Sequence, residues 1–200
     1  MIDRFYPVLP SAEWVARLVP AGTRFVQLRI KDTPEAELRR EIREAQATCA
    51  KHGAQLIVND HWRIAIDEKC PWVHLGQEDL LEADIAAIKR AGLLLGVSTH
   101  DHAELDKGLS VDPDYVALGP IYETKLKKMP FAPQGLDRIG EWKKLVGKKP
   151  LVAIGGLTLE RALLCLKAGA DSAAVVGDIV YNADPVAQAK KWIAETRAAA

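Results

Sequence analysis

Short apolar runs alternate with helix-like stretches along the whole 200-residue chain. Most of these runs are continuous and rich in β-branched residues, which is typical of parallel strands that are buried on both faces. Eight strands are predicted, at residues 5–9, 25–30, 56–58, 72–75, 93–97, 115–118, 151–154 and 172–176. Eight strand–helix units are the number that closes a (β/α)8 barrel, or TIM barrel. The sequence therefore predicts an α/β fold in which residues 1–200 form a single barrel domain.

An open, doubly wound sheet is the alternative architecture. Against it, no Gly-x-Gly-x-x-Gly follows the first predicted strand, and most strands end in a polar group. Helices are predicted from Ser11 to about residue 19, at residues 34–52, 61–69, 80–91 and 101–109, and beginning near Thr158 and Asp184. The connection at residues 119–134 is long, and such loops in compact domains are usually functional lids or disordered.

Composition excludes several classes of partner. The 27 basic residues balance the 27 acidic ones, so no net field attracts nucleic acid or an anionic membrane. No apolar stretch approaches the roughly 20 residues of a membrane helix, and the first residues lack the pattern of a signal peptide. Cys49, Cys70 and Cys165 are far apart and form no CxxC motif, which predicts reduced, mostly buried thiols. A cytoplasmic protein that binds small molecules is expected, with copies of itself in a homo-oligomer as the further candidate partner.

Polar residues follow the predicted strands at their C-terminal ends, which meet at one rim of a parallel barrel. After the second strand, Gln27, Arg29 and Lys31 alternate with a period of two and therefore point the same way. Three polar groups on one side of an apolar strand cannot face a core unpaired. Two cations at the rim suit a polyanion such as a diphosphate. The alternative is that Arg29 and Lys31 form salt bridges with neighbouring acids.

Carboxylates follow the third and fourth strands, which are neighbours in a closed sheet. Asn59 and Asp60 end the third strand region, and Asp79 follows the fourth. Two adjacent carboxylates repel each other unless a cation or a shared proton lies between them. Oxygen ligands beside cations that bind phosphate favour Mg²⁺, which typically uses one or two carboxylates and substrate phosphates. The alternative is that Asp60 and Asp79 cap the helices predicted after them.

Glycine loops follow the last two strands. Gly155-Gly156 and Val176-Gly177 occupy the positions at which many barrels bind phosphate through main-chain N–H groups. The alternative is a pair of tight turns. Within the long loop, residues 124–128 carry one threonine and three lysines, which would close over an anionic substrate or form a solvated surface. His100 is a candidate general base, or equally a hydrogen-bonding or capping histidine.

The ordered set of motifs resembles the thiamine-phosphate synthase family, which also includes the thiazole tautomerases. The matching segments are Gln27-Leu-Arg-Ile-Lys31, Val58-Asn-Asp60, His74-Leu-Gly-Gln-Glu-Asp79, Gly96-Val-Ser-Thr-His100, Tyr115-Val-Ala-Leu-Gly-Pro-Ile-Tyr122 and Ala153-Ile-Gly-Gly156. The resemblance implies a Mg²⁺-dependent transferase on a (β/α)8 barrel. It would join 4-amino-2-methyl-5-pyrimidinylmethyl diphosphate to 4-methyl-5-(2-hydroxyethyl)thiazole phosphate, giving thiamine phosphate and diphosphate.

The resemblance also implies roles for individual residues. The pyrimidine diphosphate would be held by Gln27, Arg29, Lys31 and Asn59. Mg²⁺ would be coordinated by Asp60 and Asp79, with Ser98 near the reacting centre. Thr124 and Lys127 would come from the long loop, Lys127 reaching the diphosphate. The thiazole phosphate would lie at Gly156 and at the main chain of Val176 and Gly177. The catalytic set implied is Arg29, Lys31, Ser98 and Lys127.

The chain departs from the family pattern at three places, which keeps two other functions open. Leu126 replaces a threonine, Glu123 replaces a proline, and Gly177 replaces a serine, with the carboxylate of Asp178 next to it. One alternative is a thiazole tautomerase, which needs no Mg²⁺-bound diphosphate. The other is a non-catalytic regulator that binds thiazole phosphate. Retention of Asn59-Asp60 and Asp79 favours the synthase.

Overall fold

The strands of the protein form a closed parallel barrel. A computed structural model describes residues 2–124 and 131–199, and within these ranges eight strands pair in chain order, β8 returning to β1. The strands are β1 (Phe5–Leu9), β2 (Phe25–Leu28), β3 (Gln55–Asn59), β4 (Trp72–Leu75), β5 (Leu94–Thr99), β6 (Tyr115–Leu118), β7 (Leu151–Ile154) and β8 (Ser172–Val175). The predicted (β/α)8 barrel is confirmed, and the open sheet is wrong.

Helices connect the strands and cover the outside of the barrel. They are α1 (Ala12–Leu18), α2 (Glu35–His52), α3 (Trp62–Asp67), α4 (Gln77–Glu82), α5 (Ile85–Arg90), α6 (His102–Ser110), α7 (Gly135–Val146), α8 (Leu159–Lys167), α9 (Gly177–Val180) and α10 (Pro185–Ala198). Most begin at a residue whose side chain accepts a hydrogen bond from the first turn, or at a proline. Ser11, Asp101 and Thr158 cap their helices in the first way.

The single helix predicted over residues 80–91 is wrong, because α4 and α5 are separate. Asp84 is the N-cap of α5, and its Oδ1 accepts a hydrogen bond of 2.8 Å from the N–H of Ala87. Ala83 before it has extended backbone angles, which end α4. Aspartate favours such a cap because its carboxylate satisfies an N–H that lacks an intrahelical partner. The apolar spacing of the segment does not reveal this break.

Two layers of apolar side chains pack on the two faces of the sheet. The outer layer lies between strands and helices and contains the indoles of Trp142 and Trp192. The inner layer fills the barrel and contains the aromatic rings of Tyr6, Phe25, Trp72 and Tyr115, whose centroids lie 4.7 to 6.2 Å apart in the pairs that touch. A filled interior is normal for a (β/α)8 barrel, whose chemistry takes place at the carboxyl rim.

Gly96 gives a direct test of the inner layer. A Cβ at this position would lie 2.1 Å from Cζ of Tyr115 and 2.4 Å from its hydroxyl oxygen. Gly96→Ala is therefore expected to lower the free energy of unfolding by about 1–3 kcal/mol, the usual cost of overpacking a core. Urea unfolding followed by circular dichroism measures this.

A matched control for that substitution lies on α7. Gly140→Ala would place its Cβ 3.8 Å from the carbonyl oxygen of Ala168, an ordinary contact. It should leave stability unchanged or raise it, because alanine favours a helix by up to about 1 kcal/mol over glycine. A G96A protein as stable as the parent would contradict the described position of the Tyr115 ring.

The three cysteines are buried and free, as predicted from their spacing. Cys49, Cys70 and Cys165 each lie in the outer layer. Burial raises the pKa of each thiol to about 12, so the reactive thiolate is not formed at neutral pH. Within residues 2–124 and 131–199, no helix has the length and apolar character needed to cross a membrane.

Candidate active site

Two cations stand at the carboxyl end of β2. The N–H of Arg29 donates to the carbonyl of Leu9 at 2.8 Å, so strand pairing continues past Leu28 and Arg29 keeps the inward direction of Gln27. Nζ of Lys31 lies 3.8 Å from Oδ2 of Asp60. That long, half-exposed contact is worth little to stability. Lys31 therefore does form a salt bridge, which was the alternative, but its partner Asp60 belongs to the same rim. The contact places a cation beside a carboxylate there.

The two aspartates predicted to meet at the rim lie next to each other. Asp60 follows β3 with a left-handed backbone (φ 65°), and its N–H donates to the carbonyl of His74 at 2.8 Å. Asp79 is in the first turn of α4, its carboxylate close above Gly76. Burial, and then the hydrogen-bonded carboxylate of Asp79, raise the pKa of Asp60, against smaller opposing effects of Lys31 and Arg29. The pair therefore resists carrying two negative charges at once.

Helix capping does not account for either aspartate. The N-cap residue of α3 is His61, and that of α4 is Gly76. Asp60 thus precedes the cap position of α3, and Asp79 lies inside α4. Beyond the contact of Asp60 with Lys31 and the place of Asp79 in the first turn of α4, the described contacts give no reason for the two carboxylates to lie together.

Gln27 and Ser98 are joined through the barrel interior by what we call the interior hydrogen-bond chain. Nε2 of Gln27 donates to the hydroxyl of Tyr6 at 2.7 Å, which lies 2.8 Å from the hydroxyl of Tyr115. The Tyr115 hydroxyl is 2.7 Å from Nδ1 of His74, and Nε2 of His74 is 2.8 Å from Oγ of Ser98. The chain thus spans the barrel from β2 to β5, directly beneath the rim.

The three inner members of this chain were not predicted as site residues. Burial, and then the charge of Arg29, lower the pKa of His74 to about 4. Burial also raises the pKa of the hydroxyls of Tyr6 and Tyr115. All three side chains are therefore uncharged at neutral pH. A signal was available, because each is a polar group in an otherwise apolar strand, but only pairing across strands shows that they meet.

Asn59 and Gln77 complete the neighbourhood of this chain. Asn59 is buried at the end of β3 and lies opposite His74 in the strand register. Nε2 of Gln77 donates to the carbonyl of Ser98 at 2.6 Å and ties α4 to β5. The structure thus brings together the side chains predicted after β2, β3, β4 and β5.

The glycine pair after β7 has a conformational reason of its own. Gly155 and Gly156 have φ of +103° and +63°, and a Cβ on Gly156 would lie 2.4 Å from the carbonyl oxygen of Glu123. The two glycines therefore form a tight turn, which was the alternative, and by themselves they do not indicate a ligand. A cation that sequence reasoning missed lies here: Nη1 of Arg161 donates to the carbonyl of Gly156 at 2.6 Å, and its guanidinium lies 4.5 Å from the ring centroid of Tyr122.

The segment after β8 could bind an anion only if the carboxylate of Asp178 points away from it. Val176 is the N-cap of α9, which begins at Gly177, so main-chain N–H groups are grouped there. The neighbouring carboxylate of Asp178 is engaged elsewhere, since its Oδ2 accepts hydrogen bonds of 2.7 Å from Gln188 and from the indole of Trp192. The acid next to Gly177 is therefore held against α10.

His100 has the hydrogen-bonding role, one of the alternatives open from sequence. Its Nδ1 is 2.6 Å from Oε2 of Glu104, and its ring stacks on Phe131 with centroids 4.6 Å apart. The cap of α6 is Asp101 instead. Thr124 is partly buried at the end of the first described range. Lys127 and the departure at Leu126 lie outside the described residues.

Comparison with known proteins identifies the family. The pattern of the thiamine monophosphate synthase family matches residues 6–179. Thiamine-phosphate synthase of Rhizobium etli is 60% identical over 98% of this chain and 96% of its own length, and that of Neisseria meningitidis serogroup B is 50% identical over 94% and 92%. The solved thiamine phosphate pyrophosphorylase from Pyrococcus furiosus superposes with a TM-score of 0.84, at 25% identity over 96% of both chains. The chain therefore belongs to the thiamine monophosphate synthase family and is a transferase of that type.

Proposed function

We propose that the carboxyl rim condenses 4-amino-2-methyl-5-pyrimidinylmethyl diphosphate with 4-methyl-5-(2-hydroxyethyl)thiazole phosphate, with the help of Mg²⁺. The observation that carries this proposal is the meeting of Asp60 and Asp79 beside Arg29 and Lys31. Two acids and two bases at one rim suit a metal-bound diphosphate. Neither a binding site for an uncharged ligand nor a salt bridge alone would need both acids.

The residues present fit a Mg²⁺ ion that is shared with the substrate. Burial and mutual repulsion disfavour two ionised carboxylates at Asp60 and Asp79, and a divalent cation relieves that cost. Among residues 2–124 and 131–199, no cluster of three or more His, Cys, Asp or Glu could hold a metal alone. Two protein carboxylates completed by substrate phosphate oxygens are a usual arrangement for Mg²⁺, which dehydrates reluctantly. When bound, the ion would neutralise charge on the leaving diphosphate.

The cations of the rim would act on the diphosphate together with the metal ion. Arg29 and Lys31, with Lys127 from the long loop, would bind its oxygens and stabilise it as it departs. The C–O bond to the pyrimidine methylene group then breaks early, and the electron-rich ring spreads the positive charge. Gln27 and Asn59 would hold this substrate, with Ser98 near the reacting centre. The packed layer of buried aromatic rings closes the site from below.

The second substrate would be fixed by its phosphate. The main chain at Gly156 and at Val176-Gly177 would bind it through N–H groups at the ends of the neighbouring strands β7 and β8. Thr124 would contribute from the long loop. Anchoring the phosphate aligns the thiazole nitrogen with the pyrimidine methylene carbon, so that its lone pair forms the new C–N bond as the C–O bond to diphosphate is lost. The encounter of two free molecules is replaced by a local reaction. No protein nucleophile is needed.

The decisive assay uses both substrates with Mg²⁺. We expect release of diphosphate and formation of thiamine phosphate in equal amounts, and loss of both when the metal is chelated. Omitting the thiazole phosphate is the control for hydrolysis. Isomerisation of a thiazole phosphate carboxylate without condensation would instead identify a tautomerase. Binding of thiazole phosphate without any turnover would identify a regulator, and either result would refute the proposal.

Location and assembly are further parts of the proposal. Three buried free thiols are typical of a cytoplasmic protein, and we place the chain there. Self-association into a homo-oligomer is proposed as well. Light scattering of the purified chain measures it.

A further inference from the structure

The interior hydrogen-bond chain connects two groups that the proposed function places on the substrate. It runs from Gln27 through Tyr6, Tyr115 and His74 to Ser98, with every donor–acceptor distance between 2.7 and 2.8 Å. Its first four members are between 0 and 7% exposed. Buried polar groups of this kind use all their hydrogens, because a donor left without an acceptor costs free energy. This condition determines which way each hydrogen points.

The direction follows from the orientation of the Gln27 amide, which places Nε2 at the hydroxyl of Tyr6. Nε2 of Gln27 carries hydrogens and no lone pair, so it donates to the hydroxyl oxygen of Tyr6. In the described part of the chain, the other partner of that oxygen is the hydroxyl of Tyr115. The single hydrogen of Tyr6 therefore goes to Tyr115. With the opposite direction, Tyr6 would receive two hydrogens and its own would point into the aromatic layer without an acceptor.

The directions of the remaining hydrogen bonds follow from that of the first. The hydroxyl of Tyr115 accepts from Tyr6 and donates to Nδ1 of His74. Because Nδ1 of His74 accepts this hydrogen, the ring's own hydrogen is on Nε2 and is donated to Oγ of Ser98. Ser98 accepts at this bond and keeps its own hydrogen for another partner. Tyr6, the member next to Gln27, thereby sets the direction of the Ser98 hydroxyl, which lies three hydrogen bonds away.

We propose that Tyr6, Tyr115 and His74 are positioning residues that hold the hydroxyl of Ser98 as a hydrogen-bond donor toward the substrate. The inference rests on the proposed function of the rim. It adds a rule of specificity, since the substrate atom that faces Ser98 has to offer a lone pair. A pyrimidine ring nitrogen or a diphosphate oxygen meets this rule, and an N–H group at the same place does not.

The resting protein tests the inference without turnover. Two-bond ¹H–¹⁵N correlation spectra distinguish a histidine protonated on Nε2 from one protonated on Nδ1. The signal of His74 is assigned by exclusion, replacing in turn His52, His61, His100 and His102 by glutamine. We expect the Nε2–H form in the parent protein at neutral pH and a mixture of both forms in Tyr6→Phe. The Nδ1–H form in the parent would overturn the inference.

Steady-state kinetics test whether the direction of these hydrogen bonds affects kcat/KM. Tyr6→Phe leaves every group of the rim in place, and we expect kcat/KM to fall about tenfold, the effect of one misdirected hydrogen bond. Ser98→Ala should cost at least as much, and the double variant no more than Ser98→Ala, because both remove the same donor. Tyr181→Phe removes an exposed hydroxyl and serves as the matched control. Fully additive losses would overturn the inference.

A further experiment identifies the substrate atom that accepts the hydrogen bond of Ser98. It also distinguishes this inference from the proposed function. Inhibition by inorganic diphosphate that weakens in Ser98→Ala assigns the lone pair to the diphosphate, and unchanged inhibition assigns it to the pyrimidine. A parent chain that shows the Nε2–H form of His74 and yet releases no diphosphate would refute the proposed function while leaving the hydrogen-bond direction established. Active protein with the Nδ1–H form would do the reverse.

Discussion

Replacing Asp79 with asparagine is expected to slow diphosphate release by at least about 100-fold, the usual effect of removing one preorganised electrostatic group from an active site. The loss corresponds to about 2.7 kcal/mol of transition-state stabilisation. The reason lies in the acid pair, since Asp60 alone would hold a shared metal through one carboxylate. Asp60→Asn should give a loss of the same order. Steady-state rates at saturating Mg²⁺, followed by coupled detection of diphosphate, measure both.

The same substitution has an opposite effect on stability without metal. Burial and the Asp79 carboxylate raise the pKa of Asp60 above its unfolded value. A raised carboxyl pKa means that the folded state holds its proton more tightly, so this contribution is present at low pH and is lost as pH rises. Asp79→Asn removes part of that repulsion and should raise the melting temperature of the metal-free protein at neutral pH.

The two effects together distinguish a metal site from a structural pair. Asp106, an exposed aspartate on α6, supplies the control substitution Asp106→Asn, which should change neither rate nor melting temperature. Asp79→Asn with parental activity would refute the metal role. A lower melting temperature in the presence of chelator would show instead that the pair stabilises the fold, as an ordinary structural contact does.

The rim was open to prediction because parallel strands place their carboxyl ends at one edge. Asp60 and Asp79 are 19 residues apart in sequence, yet they follow adjacent strands, and the barrel topology alone makes them neighbours. Arg29 was assigned to the same rim by its two-residue spacing from Gln27. Such inferences need the order of strands and the alternation of side chains, and both can be read from a sequence.

The hydrogen-bonded side chains inside the barrel were harder to predict from the sequence. Tyr6, Tyr115 and His74 come from β1, β6 and β4, which are not sequential neighbours, and they meet through side chains that cross the barrel. Their contact depends on the vertical register of the strands and on the space left by Gly96. Arg161 escaped prediction for a similar reason, because it reaches Gly156 from the first turn of α8, where arginines are usually solvated.

The stability of the protein is expected to depend on pH through His74. Burial, and then the charge of Arg29, lower the pKa of this ring in the folded state from 6.5 to about 4. Between these values the unfolded chain binds a proton that the folded chain does not. The free energy of unfolding therefore falls as the pH falls from 6.5 to 4, by roughly 3 kcal/mol in all. Above pH 6.5 this contribution is fully present, and below pH 4 no more is lost.

The measurement compares pH profiles of urea unfolding in the parent and in His74→Gln. The variant keeps an uncharged polar side chain, so its absolute stability changes through lost hydrogen bonds, but its profile should be flatter than the parent's between pH 4 and 6.5. His52→Gln, at the exposed end of α2, controls for the loss of a histidine and should leave the parental profile unchanged. Equal slopes for the parent and His74→Gln would mean that the ring of His74 is protonated inside the barrel. The uncharged interior beneath the rim would then be wrong.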